Sequence, residues 1–134
     1  MIKLDNEFNN KNEVLDIIKE NIEYFARLHG MSKLAVKNRC EELFDMLDMH
    51  SFVDKRAEHL STGMKQKTNI ARAVVHFPEV VVLDEPTTGL DIMTTQTVIK
   101  FIQGLKEQGT PVIFSTHHLD EIALLCERVT VIYQ

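Results

Sequence analysis

Apolar residues change their spacing once along this chain, close to Pro78. From Asn12 they recur every three to four positions. Val14, Ile18, Ile22 and Phe25 share one face, which predicts a helix that Gly30 ends. Ser32 reads as the N-cap of a second helix, with Val36, Cys40, Leu43, Phe44 and Leu47 turned inward. SFVDKRAEHL (51–60) is a connector with room for one helical turn. A third helix opens at Ser61 or Thr62 and runs to about His76, with Met64, Ile70, Ala71 and Val74 apolar.

Beyond Pro78 the apolar runs become continuous. VVVLD (80–84) and PVIFST (111–116) read as strands buried on both faces of a parallel sheet, and VTVIY (129–133) as a third strand. Between them, Asp91 caps a helix whose stripe is Val98, Ile102 and Leu105 and which Gly109 stops. A short helix spans about Leu119–Glu127. Helices first and then β-α-β-α-β define an α/β protein with right-handed parallel crossovers. The expected divisions are a frayed segment at 1–11, a helical part at 12–76 and an α/β part at 77–134.

Composition adds exclusions. The 134 residues are 44% hydrophobic and 26% charged, as in an ordinary folded domain. A net charge of −5 without a Lys/Arg run argues against a nucleic-acid partner. Cys40 and Cys126 stand apart with no Cys/His metal spacing around them, so both read as reduced core residues. No apolar run approaches membrane-spanning length, and MIKLDNEFNN is too polar for a secretory signal, so a cytosolic chain is expected.

Four segments offer chemistry. VVVLDEP places Asp84 and Glu85 at the carboxyl edge of a parallel sheet, where ligands of α/β folds bind. An Asp there can hold Mg²⁺, and a Glu can orient or deprotonate a water; a solvated strand end is the bland alternative. His117, just past the second strand, can contact a phosphate or position a water, or simply be exposed. The adjacent His117 and His118 diverge in direction and lack a second ligand set, which excludes them as a metal pair. LSTGMKQK (60–67) opens a helix with Ser61, Thr62 and Gly63, whose free N–H groups and dipole suit an anion, although plain N-capping needs no ligand. TTGLD (87–91) is a Gly-containing turn before the Asp91 cap.

Taken in order, LSTGMKQK, VVVLDEP, TTGLD and FSTHHLDE resemble the signature, Walker B, D-loop and switch-histidine motifs of ABC transporter nucleotide-binding domains. ENIEYFARLHGMSK and LSTGMKQ look most like the sodium-export type of ATP-binding subunit, and the resemblance runs from about residue 16 onward. It implies an incomplete P-loop NTPase (ABC ATPase) domain, a helical subdomain followed by a partial parallel β-sheet with flanking helices. It further implies that Ser61, Thr62 and Gly63 contact the γ-phosphate of an ATP held mainly by the opposite subunit. Asp84 would serve Mg²⁺, Glu85 the hydrolytic water and His117 the γ-phosphate, with Asp91 at the subunit interface. Lys67 stands where the family more often has Arg, which keeps the charge and loses a bidentate contact. Thr62 and Met64 replace the commoner Gly and Gln.

The family's G-x-x-x-x-G-K-[ST] phosphate loop is missing from these residues. Of the five glycines only Gly104 and Gly109 have its spacing, in GLKEQGTP, which lacks the Lys and reads as a helix C-cap. No glutamine precedes Gln66 to serve as the Q-loop. The expectation is a domain lacking its Walker A and Q-loop part, in which PVIFST and VTVIY lose the strand they would share. ATP and Mg²⁺ would then bind only with a partner supplying Walker A. The implied partners are a transmembrane permease, a second ATP-binding subunit and further copies of the chain. The implied location is cytoplasmic, peripheral on the inner face of the cell membrane. The open alternatives are a non-catalytic fragment that docks on a permease or full-length ATPase, and a vestigial gene remnant. DNA-repair ATPases of the chromosome-maintenance type share a signature and Walker B arrangement, but no sustained heptads occur here.

Overall fold

The computed structural model describes residues 16–132, which divide into two compact units, one ending at Pro78 and one starting at Glu79. The frayed segment expected at 1–11, the helix start at Asn12, Val14 and the last strand residue Tyr133 lie outside the described residues.

In the first unit, α1 (Ile18–Leu28) buries Ile18, Ile22 and Ala26, while Phe25 is half-buried with the Arg72 guanidinium 4.0 Å above its ring. No side chain caps α1. Its first N–H groups, from Ile18 and Lys19, donate instead to the carbonyls of Lys55 (3.2 Å) and Val53 (2.8 Å), so the connector serves as the cap. Helix α2 (Lys33–Met46) starts where Ser32 Oγ accepts from the Ala35 N–H at 3.3 Å, and its five inward residues are all buried. Burial pushes the Cys40 thiol up to about 11, which keeps it protonated and apolar in character.

The connector contains one 3₁₀ turn (Ala57–His59) and is anchored by buried Phe52 and Val53. Helix α3 (Thr62–Val74) is capped by Ser61, whose Oγ accepts from the Met64 N–H at 3.2 Å. It ends two residues short of the expected His76. Two buried cations interrupt the apolar pattern. Lys67 Nζ donates to the Asp48 carbonyl just past α2 (3.2 Å), with the Asp48 carboxylate 3.7 Å away. Arg39 donates to the Val74 carbonyl at the end of α3 (3.2 Å) and to Glu42 (2.8 Å), and lies 4.1 Å above the Phe77 ring. Both cations sit at helix C-terminal ends, where the dipole favours positive charge.

In the second unit, β1 (Val81–Asp84) and β2 (Val112–Ser115) pair in parallel, with Val81 opposite Val112 and Asp84 opposite Ser115. They are joined by α4 (Ile92–Glu107), which packs on β2 and on α5 (Leu119–Leu125) through a buried stripe of Val98, Phe101, Ile102 and Leu105. Gly109 ends the crossover in the left-handed region (φ +81°).

Three expectations are corrected here. The strands are not buried on both faces. Val81 and Leu83 are covered, whereas Val82 is 69% and Ile113 62% exposed, because among the described residues helices cover only one face of the two-stranded sheet. VTVIY forms no strand over 129–132, and Val129, Val131 and Ile132 are exposed. The edge of β2 away from β1 carries no strand among the described residues, so this segment has no ladder to join. The last helix also stops at Leu125, two residues before Glu127. No helix among the described residues is long and apolar enough to cross a membrane.

Candidate functional site

The parallel register determines which side chains meet. With Asp84 opposite Ser115, both chains leave the sheet at the same level, and the residues that follow turn toward one another. Ser115 Oγ donates to Asp84 Oδ1 at 2.5 Å and accepts from the Glu85 N–H at 3.0 Å. Glu85 takes a left-handed backbone (φ +46°), which non-glycine residues adopt rarely and mostly where surrounding contacts enforce it. Buried Pro86 and a turn with Gly89 at φ +75° follow, and Asp91 then caps α4.

The Glu85 carboxylate collects two partners on one oxygen. Thr88 Oγ1 donates to Oε2 at 2.6 Å, and His117 Nδ1 lies 2.9 Å from the same oxygen. The Thr88 hydroxyl, and after it the His117 contact, hold the Glu85 carboxyl below the usual glutamate range. Contrary to the divergence expected of adjacent residues, the His118 ring lies beside that of His117, with centroids 4.2 Å apart. The His117 side chain is 63% and the Glu85 side chain 37% exposed, so a ligand can reach both. Asp84 is exposed, with one oxygen engaged by Ser115.

That donor set fits a hard divalent cation such as Mg²⁺, held through one carboxylate with water and substrate oxygens completing the shell. Among the described residues no three His, Cys, Asp or Glu side chains converge on a metal position, so an all-protein cage is excluded there. Asp84 would hold the cation. The chemistry supplied would be charge neutralisation on phosphate oxygens.

Asp84, Glu85 and His117, each foreseen from sequence, are thus gathered at one end of the sheet. Asp91 is occupied locally, accepting the Thr94 N–H (3.0 Å) and the Thr94 hydroxyl (2.7 Å). Ser61, Thr62 and Gly63 belong to the other unit, at the start of α3. Ser61 and Thr62 are exposed, and the first-turn N–H groups of Thr62 and Gly63 have no intrahelical acceptor. Sequence reasoning missed Ser115 and Thr88. A hydroxyl residue ending the strand opposite the Asp84 strand was the available signal for Ser115.

An Asp–Glu pair facing a His across a parallel sheet edge agrees with the motifs read from the sequence, and the chain belongs to the ABC transporter family. The sequence profile of that family, described as "ABC transporter", matches residues 2–88. The chain is 41% identical over 115 residues to the ABC transporter ATP-binding protein NatA of Bacillus subtilis (strain 168), covering 86% of this chain and 47% of that one. It is 36% identical over 115 residues to the Nod factor export ATP-binding protein I of Burkholderia orbicola (strain AU 1054), covering 86% and 38% respectively. Its fold is similar to the ATP-binding cassette MJ0796 in a dimeric post-hydrolysis state bound to ADP and Pi. That match has a TM-score of 0.72 at 27% identity, over 82% of this chain and 50% of that one. The chain spans about half the length, or less, of the relatives it matches. Its fold is accordingly part of an ABC ATPase domain.

Proposed function

We propose that this chain is the portion of an ABC ATP-binding subunit that acts on the γ-phosphate of Mg-ATP while the phosphate loop is supplied from outside these 134 residues. The Glu85–His117 contact of 2.9 Å beside Asp84 carries the reading. In it, Asp84 holds Mg²⁺, Glu85 orients and activates water, and His117 meets the γ-phosphate. Ser61, Thr62 and Gly63 address a nucleotide bound by the opposite subunit, and Asp91 lies at the interface. Residues 12–76 serve as the helical subdomain and 77–134 as the catalytic part. The partners are a permease and a second ATP-binding subunit at the inner face of the cell membrane. Further copies of this chain join through the open sheet edge. The names of relatives that export support an export direction.

A chimera tests this reading. These residues replace the matching region of the Bacillus subtilis relative. Mg-dependent ATP turnover is then expected, and Glu85→Gln should lower it by at least about 10²-fold, the scale of a lost general base. Turnover that ignores Glu85→Gln would contradict the assignment and favour a docking role for the helical unit, which has a closed core of its own.

A further inference from the structure

A third carboxylate lies buried beside Asp84 and Glu85: it is the last residue of FSTHHLDE, and no role was expected of it. Glu121, the third residue of α5, is only 3% exposed. Its Oε1 accepts the hydroxyl of Thr87, and its Oε2 accepts the hydroxyl of Thr116 at 2.8 Å. Thr116 Oγ1 in turn accepts the His118 N–H at 3.1 Å. Thr87 is itself buried, in the turn that follows β1. The buried carboxylate is therefore held by donors from two different loops.

The positions of those donors give the arrangement its meaning. Thr87 is two residues past Glu85, and Thr116 immediately precedes His117. One carboxylate therefore ties down both backbone segments from which the site pair projects. Glu85 and His117 are themselves partly exposed, and a contact between exposed side chains on separate loops is weak unless the loops are fixed. Ser115 fixes the Asp84–Glu85 side of the sheet edge, and the Glu121 carboxylate joins Thr87 of the following turn to Thr116.

We propose that Glu121 is a positioning residue: it clamps the turn after β1 to the turn after β2 and so sets the Glu85–His117 contact. The catalytic value of that contact rests on the function proposed above, whereas the clamp does not.

The test is NMR spectroscopy on the 134-residue chain, following nuclear Overhauser cross-peaks between the His117 ring and the Glu85 side chain. Glu121→Ala and Thr87→Val are expected to abolish those cross-peaks while the signals of Val98 and Phe101 in the α4 core stay in place. Glu121→Ala should also speed exchange of the His118 amide by about 10-fold or more. Glu121→Gln, which can accept one hydroxyl and donate to the other, should retain the cross-peaks. If Glu121→Ala does not fold, Thr87→Val and Thr116→Val carry the test, since each leaves the carboxylate one donor. Cross-peaks that persist in Thr87→Val, or that Glu121→Gln loses as fully as Glu121→Ala, would overturn the clamp. Such a result alongside Glu85-dependent turnover in the chimera would remove the clamp and leave the function standing.

Discussion

Asp91 shows how local chemistry limits what a site residue can do. Both of its carboxylate oxygens are engaged by Thr94, one by the N–H and one by the hydroxyl. The hydroxyl first, and then the N–H, hold its carboxyl below the usual aspartate range. Because folding favours the ionised form, its share of stability is complete above the ordinary value of 3.8 and is lost as pH falls through the depressed one. Thr94→Val removes the larger cause, so the Asp91 midpoint should rise toward 3.8 in a carbon-13 NMR titration. An unchanged midpoint would show that the hydroxyl is not what holds it. An interface role for Asp91 must then use its backbone or compete with this cap. At this scale the sequence revealed Asp84, Glu85 and His117 because each follows an apolar run that ends at a sheet edge. It hid Ser115, Thr88 and Glu121, whose roles depend on strand register and on a loop-to-loop approach that spacing does not encode. The burial of Lys67 and Arg39 was hidden too, because a buried cation looks like a surface one until its carbonyl partner is placed.

Elements were legible where a single residue sets a boundary. Ser32, Ser61 and Asp91 each cap the helix expected of them, and Gly30 and Gly109 take the left-handed backbone that ends one. Strands were legible in position but not in environment. A β-branched run tells where a strand lies, whereas the burial of its second face depends on what covers it. Here that face shows Val82 and Ile113 to solvent, and the apolar residues of 129–132 remain outside any ladder. An edge of this kind pairs readily with other chains. Sedimentation of the purified chain should therefore show concentration-dependent association, which Ile113→Lys reduces without loss of helical signal. A chain that stays monomeric at every concentration would contradict the open-edge account.

For the molecule as a whole, the two units differ in completeness. The helical unit encloses Ile22, Leu43, Phe44 and Ile70, all at most 1% exposed, and its buried cations bond to helix-end carbonyls. The α/β unit gathers the reactive side chains on a sheet of two strands. Family membership was legible from four short motifs in fixed order, and the fold match over half of one cassette chain agrees with it. The proposed division of labour is that Glu85 and His117, which meet at one sheet edge here, act on an ATP whose phosphate loop is supplied from outside these residues. Phosphate release from Mg-ATP by the purified 134-residue chain, compared with its Glu85→Gln variant, tests this most directly. Background release from both, with no difference between them, is expected. Magnesium-dependent turnover that Glu85→Gln abolishes would show that these residues hold ATP unaided, and would contradict it.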